Sequence, residues 1–262
     1  MKDIKIRAIS GALYVAVLVG TMFYAPFAFY LTIGVFSSLA LWEFLRLISF
    51  KHFIFILVLL GFMLSLYLGF VPKTGRDSLL ILTLIVNCWI TFLCLSQSNI
   101  NFGTIQKMGM TLFYLIGSCL FIPLLLHQTK DFNPHYLLVF YLAIWTNNSF
   151  AYLIGSRYGK HKLFPSISPK KSWEGFFGGL LATLLLLYNI EQQHPAFGHH
   201  WMVLGGLLPV LATLGDFVQS YFKRRAQVKD SGSLLPGHGG FYDRMDSVIY
   251  TAPFYYLFLK FI

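Results

Sequence analysis

Four carboxylates, Asp216, Asp230, Asp243 and Asp246, fall within 31 positions of a chain that holds only 10 Asp and Glu in 262 residues. Among them stand Lys223, Arg224, Lys229 and Arg244, and a glycine-rich run, Pro236-Gly237-His238-Gly239-Gly240. Acids and bases interleaved in this way suit phosphate chemistry, because the bases neutralise phosphoryl oxygens and the acids offer hard oxygen ligands to a metal. Asp243 and Asp246 are three residues apart, so a helix beginning there projects both from one face. An antiparallel helix carrying Asp216 can then bring a third carboxylate opposite them. Three such groups are expected to hold Mg2+, which leaves coordination positions open for substrate phosphates. The competing account is a buried ion-pair network with Lys223, Arg224 and Arg244. Lys223 follows Asp216 by seven residues, two helical turns, so one helix can offer an anion to metal and a cation to phosphate.

The glycines at 237, 239 and 240 let the backbone come close to a ligand and turn successive N–H groups toward an anion, with His238 as a further donor. A second basic segment runs from Gly155 to Gly175. Within it, Ser168-Pro169 has the form of a helix N-cap followed by proline at the first helical position, which places Lys170 and Lys171 in the first turn. The helix dipole is already positive there, and a bound anion would account for both lysines. Glu43 and Arg46 have the spacing of an intrahelical ion pair. Asn148 shares a helical face with Tyr152 and Gly155 and is expected to line the site.

These groups must be positioned by membrane helices. Hydrophobic residues make up 56% of the chain and charged ones 11%, with a mean hydropathy of +0.66, against about 25% charged in soluble domains. Apolar runs of the roughly 20 residues needed to span a bilayer recur along the whole length. They predict an all-α, polytopic integral membrane bundle of about nine helices, near 8–24, 27–47, 52–70, 78–96, 111–127, 136–154, 174–190, 201–222 and 247–262. A transmembrane barrel would need short alternating segments, and these are continuously apolar. The first run follows Lys2, Lys5 and Arg7 and reads as a retained helix rather than a cleaved leader. With the N-terminus cytoplasmic, only Lys73, Arg76, Lys130 and Lys260 of the 20 Lys and Arg lie outside, the positive-inside pattern. Loops 155–173 and 223–246 then face the cytoplasm. One membrane domain is expected over residues 1–262, its N-terminal helical half at 1–130 and its catalytic half at 131–262.

The net charge of +10 raises nucleic acid as a partner, but the cations sit beside the membrane with no base-stacking module, which favours lipid head groups and nucleotide phosphates. Cys88, Cys94 and Cys119 all fall inside predicted helices without metal-ligand spacing and read as packing residues.

The ordered elements Ser220, Lys223-Arg224, Lys229-Asp230, Gly232, Pro236, His238-Gly239-Gly240, Asp243-Arg244 and Asp246 resemble the motif of the CDP-diglyceride synthases, also called phosphatidate cytidylyltransferases. Ser168-Pro169-Lys170-Lys171, with Trp173-Glu174-Gly175, is similar to a second element of that family. Asn147-Asn148 departs from its pattern, which has Asn-Asp, so a metal role does not carry over to Asn148. The resemblance implies transfer of a cytidylyl group from CTP to phosphatidic acid in a membrane, the bacterial inner membrane with its site facing the cytoplasm. Taken with the residue chemistry, it implies catalytic roles for Lys223, Lys229, Asp230, His238 and Arg244. Substrate contacts fall to Asn148, Ser168, Lys170, Lys171, Arg224, Gly239 and Gly240, and Mg2+ to Asp216, Asp243 and Asp246. A lipid phosphate with its second pKa near 6 is an anion at neutral pH and needs no strong base to attack. A polyprenol or phytol kinase would need one, and His238 or Asp230 could supply it. A transporter would show midplane polar groups and internal repeats, and neither is evident. The oligomeric state, homodimer included, is left open.

Overall fold

The computed structural model describes residues 2–50, 52–127, 132–193, 200–234 and 239–261, with side chains from residue 9 onward. Its helices are α1 (Lys2–Tyr24), α2 (Pro26–Leu47), α3 (Ile54–Tyr67), α4 (Lys73–Leu95), α5 (Thr104–Gly109), α6 (Ser118–Leu124), α7 (His135–Tyr158), α8 (Trp173–Gln193), α9 (Trp201–Arg225) and α10 (Tyr242–Leu259). A π-helical segment, Met110–Gly117, joins α5 to α6, so the two form one rod. Six of the rods are long and apolar enough to cross a membrane, and Ile9–Tyr24 and Ile54–Tyr67 are shorter apolar helices.

Local sequence explains where these helices stop. α2, α3, α4 and α9 each end in a residue with left-handed backbone, Ser49, Gly69, Gln97 and Gln227, at φ 51°, 74°, 52° and 57°. In each case the next N–H reaches back five residues: Phe50 to Leu45, Phe70 to Ser65, Ser98 to Leu93 and Val228 to Lys223, at 2.8–3.0 Å. This wrap satisfies carbonyls that the helix end leaves open and reverses the chain sharply.

The connections α2–α3, α4–α5, α7–α8 and α9–α10 share one end of the bundle, where they touch. Lys107 donates to the carbonyl of Ser49 (3.4 Å), Arg225 to those of Ser98 and Ile100 (3.0 and 2.6 Å), and Arg224 to that of Ile167 (3.4 Å). At the other end Lys260 pairs with Asp77. Arg225 also stacks over Phe102 and Tyr221 (4.7 and 5.4 Å), so it ties α9 to the α4–α5 connection.

α7 and α8 approach most closely through glycine. A side chain at Gly179 would strike the carbonyl of Asn147 (2.7 Å), and one at Gly175 the carbonyl of Ala151 (2.6 Å). Small residues at such a crossing bring the backbones together where lipid supplies no hydrophobic drive. Between α2, α9 and α10, Phe44, Tyr114, Phe222 and Tyr242 form an aromatic cluster with centroids 5.1–5.9 Å apart. All four are buried, and Tyr114 and Tyr242 also share a 2.6 Å hydroxyl contact.

The bundle is all-α, as expected, with one short hairpin in the α7–α8 connection, where Lys162–Phe164 (β1) pairs antiparallel with Ser168–Ser172 (β2). Two expected helix starts are corrected. Ser168-Pro169 therefore does not start a helix. The cap lies four residues on, where Ser172 Oγ accepts the N–H of Gly175 (3.2 Å). The last helix begins at Tyr242 rather than near 247, which puts Asp243 and Asp246 inside its first turns.

Candidate active site

The site forms where α9, the start of α10 and the β1–β2 hairpin meet. Side chains alternate along a strand, so Lys170 and Lys171 cannot point the same way. Lys170 is exposed. Lys171 turns inward, its ammonium 2.6 Å from Asp216 Oδ2 and 4.8 Å over the Phe217 ring. Asp216 thus finds the cation that a carboxylate in an apolar helix needs, and it comes from a loop 45 residues upstream. Ser220, one turn along α9, donates to Asp216 Oδ1 (3.2 Å).

Asp243 is the most heavily bonded acid described. Its Oδ1 takes Lys223 Nζ (2.7 Å) and Gln219 Nε2 (3.1 Å). Its Oδ2 takes the backbone N–H groups of Ser231 (2.8 Å) and Gly240 (3.0 Å), and Ser231 Oγ lies 2.9 Å away. The Lys223 ammonium and these hydrogen bonds satisfy the carboxylate that burial takes from water. Asp246, one turn further, is near enough to Asp216, Lys171 and Lys223 to interact with all three through space. Asn148, on α7, donates to Ser247 Oγ (3.4 Å), beside Asp246.

Among the described residues no three His, Cys, Asp or Glu side chains group closely enough to hold one ion together. The three carboxylates expected to converge do not meet at one point among the described residues; Asp216 and Asp246 influence one another through space. Lys223, Gln219 and the N–H groups of Ser231 and Gly240 occupy Asp243, and it organises the loop.

Other expected residues fall around this centre. Lys229, Asp230, Arg224 and Arg244 are exposed. Arg224 bonds to Ile167 and Val228 carbonyls, joining hairpin to loop. Gly239 has φ +83°, a conformation that favours glycine, and packs near Asp230. His238, with Pro236 and Gly237, lies outside the described residues. Ser168 lies in β2, away from any helix start. Of the face expected to run from Asn148, Tyr152 is 73% exposed, while a side chain at Gly155 would press on the Gly175 backbone (3.3 Å).

The intrahelical Glu43–Arg46 pair does not form. Arg46 lies over the Trp42 ring (4.9 Å). Glu43 is wholly buried and accepts the N–H groups of Phe241 (3.1 Å) and Tyr242 (2.9 Å) and the hydroxyl of Ser231 (2.7 Å). Glu43, Gln219, Ser231 and Ser172 carry structural work at the site that spacing does not reveal. The available signal was a lone acid, Glu43, in an otherwise apolar helix.

Comparison with known proteins agrees with this geometry. Residues 5–262 match the model of the cytidylyltransferase family. The chain is 32% identical over 266 residues to a phosphatidate cytidylyltransferase of Bacillus subtilis, covering 99% of this chain and 98% of that one. A protein of the same name from Staphylococcus aureus is 38% identical over 171 residues, 63% of this chain and 62% of that one. A third, from Staphylococcus epidermidis, is 33% identical over 240 residues, 90% of this chain and 89% of its own length. Because the match spans the helices of both halves as well as the charged cluster between α9 and α10, the chain belongs to the cytidylyltransferase family, an enzyme family of nucleotidyl transfer.

Proposed function

We propose that this enzyme transfers the cytidylyl group of CTP to phosphatidic acid, giving CDP-diacylglycerol and pyrophosphate. One observation carries the reading: two lysines, Lys171 and Lys223, are each held at 2.6–2.7 Å by a carboxylate where the charged cluster meets apolar helices. A lipid phosphate and a water-borne nucleotide can meet there. A phosphate oxygen of the lipid attacks the α-phosphorus of CTP in line, that P–O bond forms, and the bond to the β-phosphate bridging oxygen breaks. Lys223 and Lys171 neutralise charge on the phosphoryl oxygens as it develops. Held by carboxylates, they are already oriented and need little reorganisation.

The acids fit a divalent cation with two of the three expected ligands. Asp216 and Asp246 are hard oxygen donors that influence one another through space, and two carboxylates with open positions suit Mg2+ bound together with substrate phosphates. When bound, the ion would neutralise charge on the nucleotide phosphates. Asp243 instead fixes Lys223 and the loop. Asn148, through Ser247, sets the face of α10 beside Asp246. Lys229 and Arg244, both exposed, extend the cationic rim toward the triphosphate.

The nine rods among the described residues, with the site at the end that collects the cationic loops, fit nine spans with a cytoplasmic N-terminus in a bacterial inner membrane. The whole chain then acts as one membrane domain. Purified protein in mixed micelles with CTP labelled at its α-phosphate, phosphatidic acid and Mg2+ should form labelled CDP-diacylglycerol, and diacylglycerol should not replace phosphatidic acid. Label moving from the γ-phosphate to a lipid alcohol would make the enzyme a kinase instead. Cysteines at Ser156 and Ser233 should react only from the cytoplasm and one at Gln193 only from outside; the reverse would overturn the topology.

A further inference from the structure

We infer that Glu43, on α2, is a positioning residue that locks the loop between α9 and α10 and thereby sets Asp243 and Lys223. Nothing in the charged motif lies on α2, yet this carboxylate reaches it from the other half of the chain. Its functional consequence rests on the cytidylyl-transfer reading above.

The N–H groups of Phe241 and Tyr242 open α10 and have no partner within the helix, so a buried helix start must find acceptors elsewhere. Glu43 supplies them with both oxygens, and its negative charge sits at the positive end of the helix dipole. The same carboxylate lies against Gly232 and Gly240. An added Cβ at either position would run into it, and at Gly240 all three nearest atoms belong to Glu43. Two glycines of the motif are thus fitted to this side chain as well as to any ligand.

Ser231 links Glu43 to the chemistry. Its hydroxyl lies 2.7 Å from Glu43 Oε2 and 2.9 Å from Asp243 Oδ2, and it has a single hydrogen to give. Its backbone N–H is fixed on Asp243, which in turn holds Lys223. The loop is therefore gripped from α2 by Glu43 and from α10 by Asp243. Loss of Glu43 leaves two buried N–H groups without acceptors and frees one side of that grip.

The test uses Glu43→Gln, which keeps the volume but turns an acceptor into a donor facing donors, and Glu43→Ala. Glu43→Gln should remain monodisperse while kcat falls ten- to hundredfold. A cysteine at Ser233, exposed on the loop, should label about tenfold faster in Glu43→Gln than in the parent. Gly240→Ala alone should cost at least a hundredfold in kcat/KM, since its methyl meets the carboxylate. In a Glu43→Ala background the same change should cost at least tenfold less than in the parent, because that obstacle is gone. A Glu43 that merely supports packing would leave the two costs multiplicative, and that result overturns the inference. So does Glu43→Gln with parental kcat, KM and labelling rate. If the parent forms no CDP-diacylglycerol, the reaction reading fails, and the Ser233 labelling alone decides for or against Glu43.

Discussion

Asp243→Asn separates an organising carboxylate from a metal-binding one. The Asp243 side chain is 5% exposed and that of Lys223 12%, so their pairing is hardly screened. Removing one member of a buried pair costs about 3–5 kcal/mol, because the other charge is left without its partner. The asparagine NH2 also falls on one side of a group whose two oxygens each take two donors, leaving at least one N–H opposed, at about 1–3 kcal/mol. Because Lys223 then loses the partner that orients it toward the phosphates, the initial rate of CDP-diacylglycerol formation should fall about a hundredfold, the scale of losing one preorganised charge-stabilising group. Raising Mg2+ should not restore it. The double variant Asp243→Asn/Lys223→Met should melt no lower than the single, since the stranded cation has gone, although its rate falls further with the loss of Lys223. A single variant within threefold of the parent, or one rescued by Mg2+, would refute the organising role.

Lys171→Ala should slow turnover more than tenfold, while Lys170→Ala, on the opposite strand face, should leave kcat within threefold; parallel rate measurements decide. Gly179→Leu should lower the melting temperature through about 1–3 kcal/mol of overpacking against Asn147 and Ala151, and an unchanged transition would discount the close α7–α8 contact. Asn148→Leu should strand its partners, costing about 1–3 kcal/mol and ten- to hundredfold in rate, whereas Asn148→Asp should keep much activity, with a lower Mg2+ requirement in a titration. A leucine variant equal to the parent in turnover and CTP affinity would make Asn148 a packing residue.

Composition and apolar run length were sufficient for a helical membrane bundle, because in lipid a backbone must satisfy its own hydrogen bonds and helices do so locally. The helix starting at Trp201 and the one ending at Leu47 were legible to the residue, since each rests on a run of neighbouring side chains. The charged motif was legible for the same reason: its spacing alone marked Lys223, Asp216 and Asp243 as one group. Partners were another matter. Ser168-Pro169 has the local form of a helix start, and pairing with Lys162–Phe164, a few residues earlier, overrode it. Glu43 lay one turn from Arg46 yet found its partners nearly 200 residues away, at Phe241 and Tyr242. A buried carboxylate takes whatever donors the packing brings to it, and N–H groups at the start of another helix prevail over an arginine that can stay over Trp42. The residue types and their spacing thus determined that this chain is a membrane bundle with a cluster of acids and bases between its last two helices. Which lysine faces which acid, and that α2 holds the loop, depended on contacts distant in sequence that only the packed helices create.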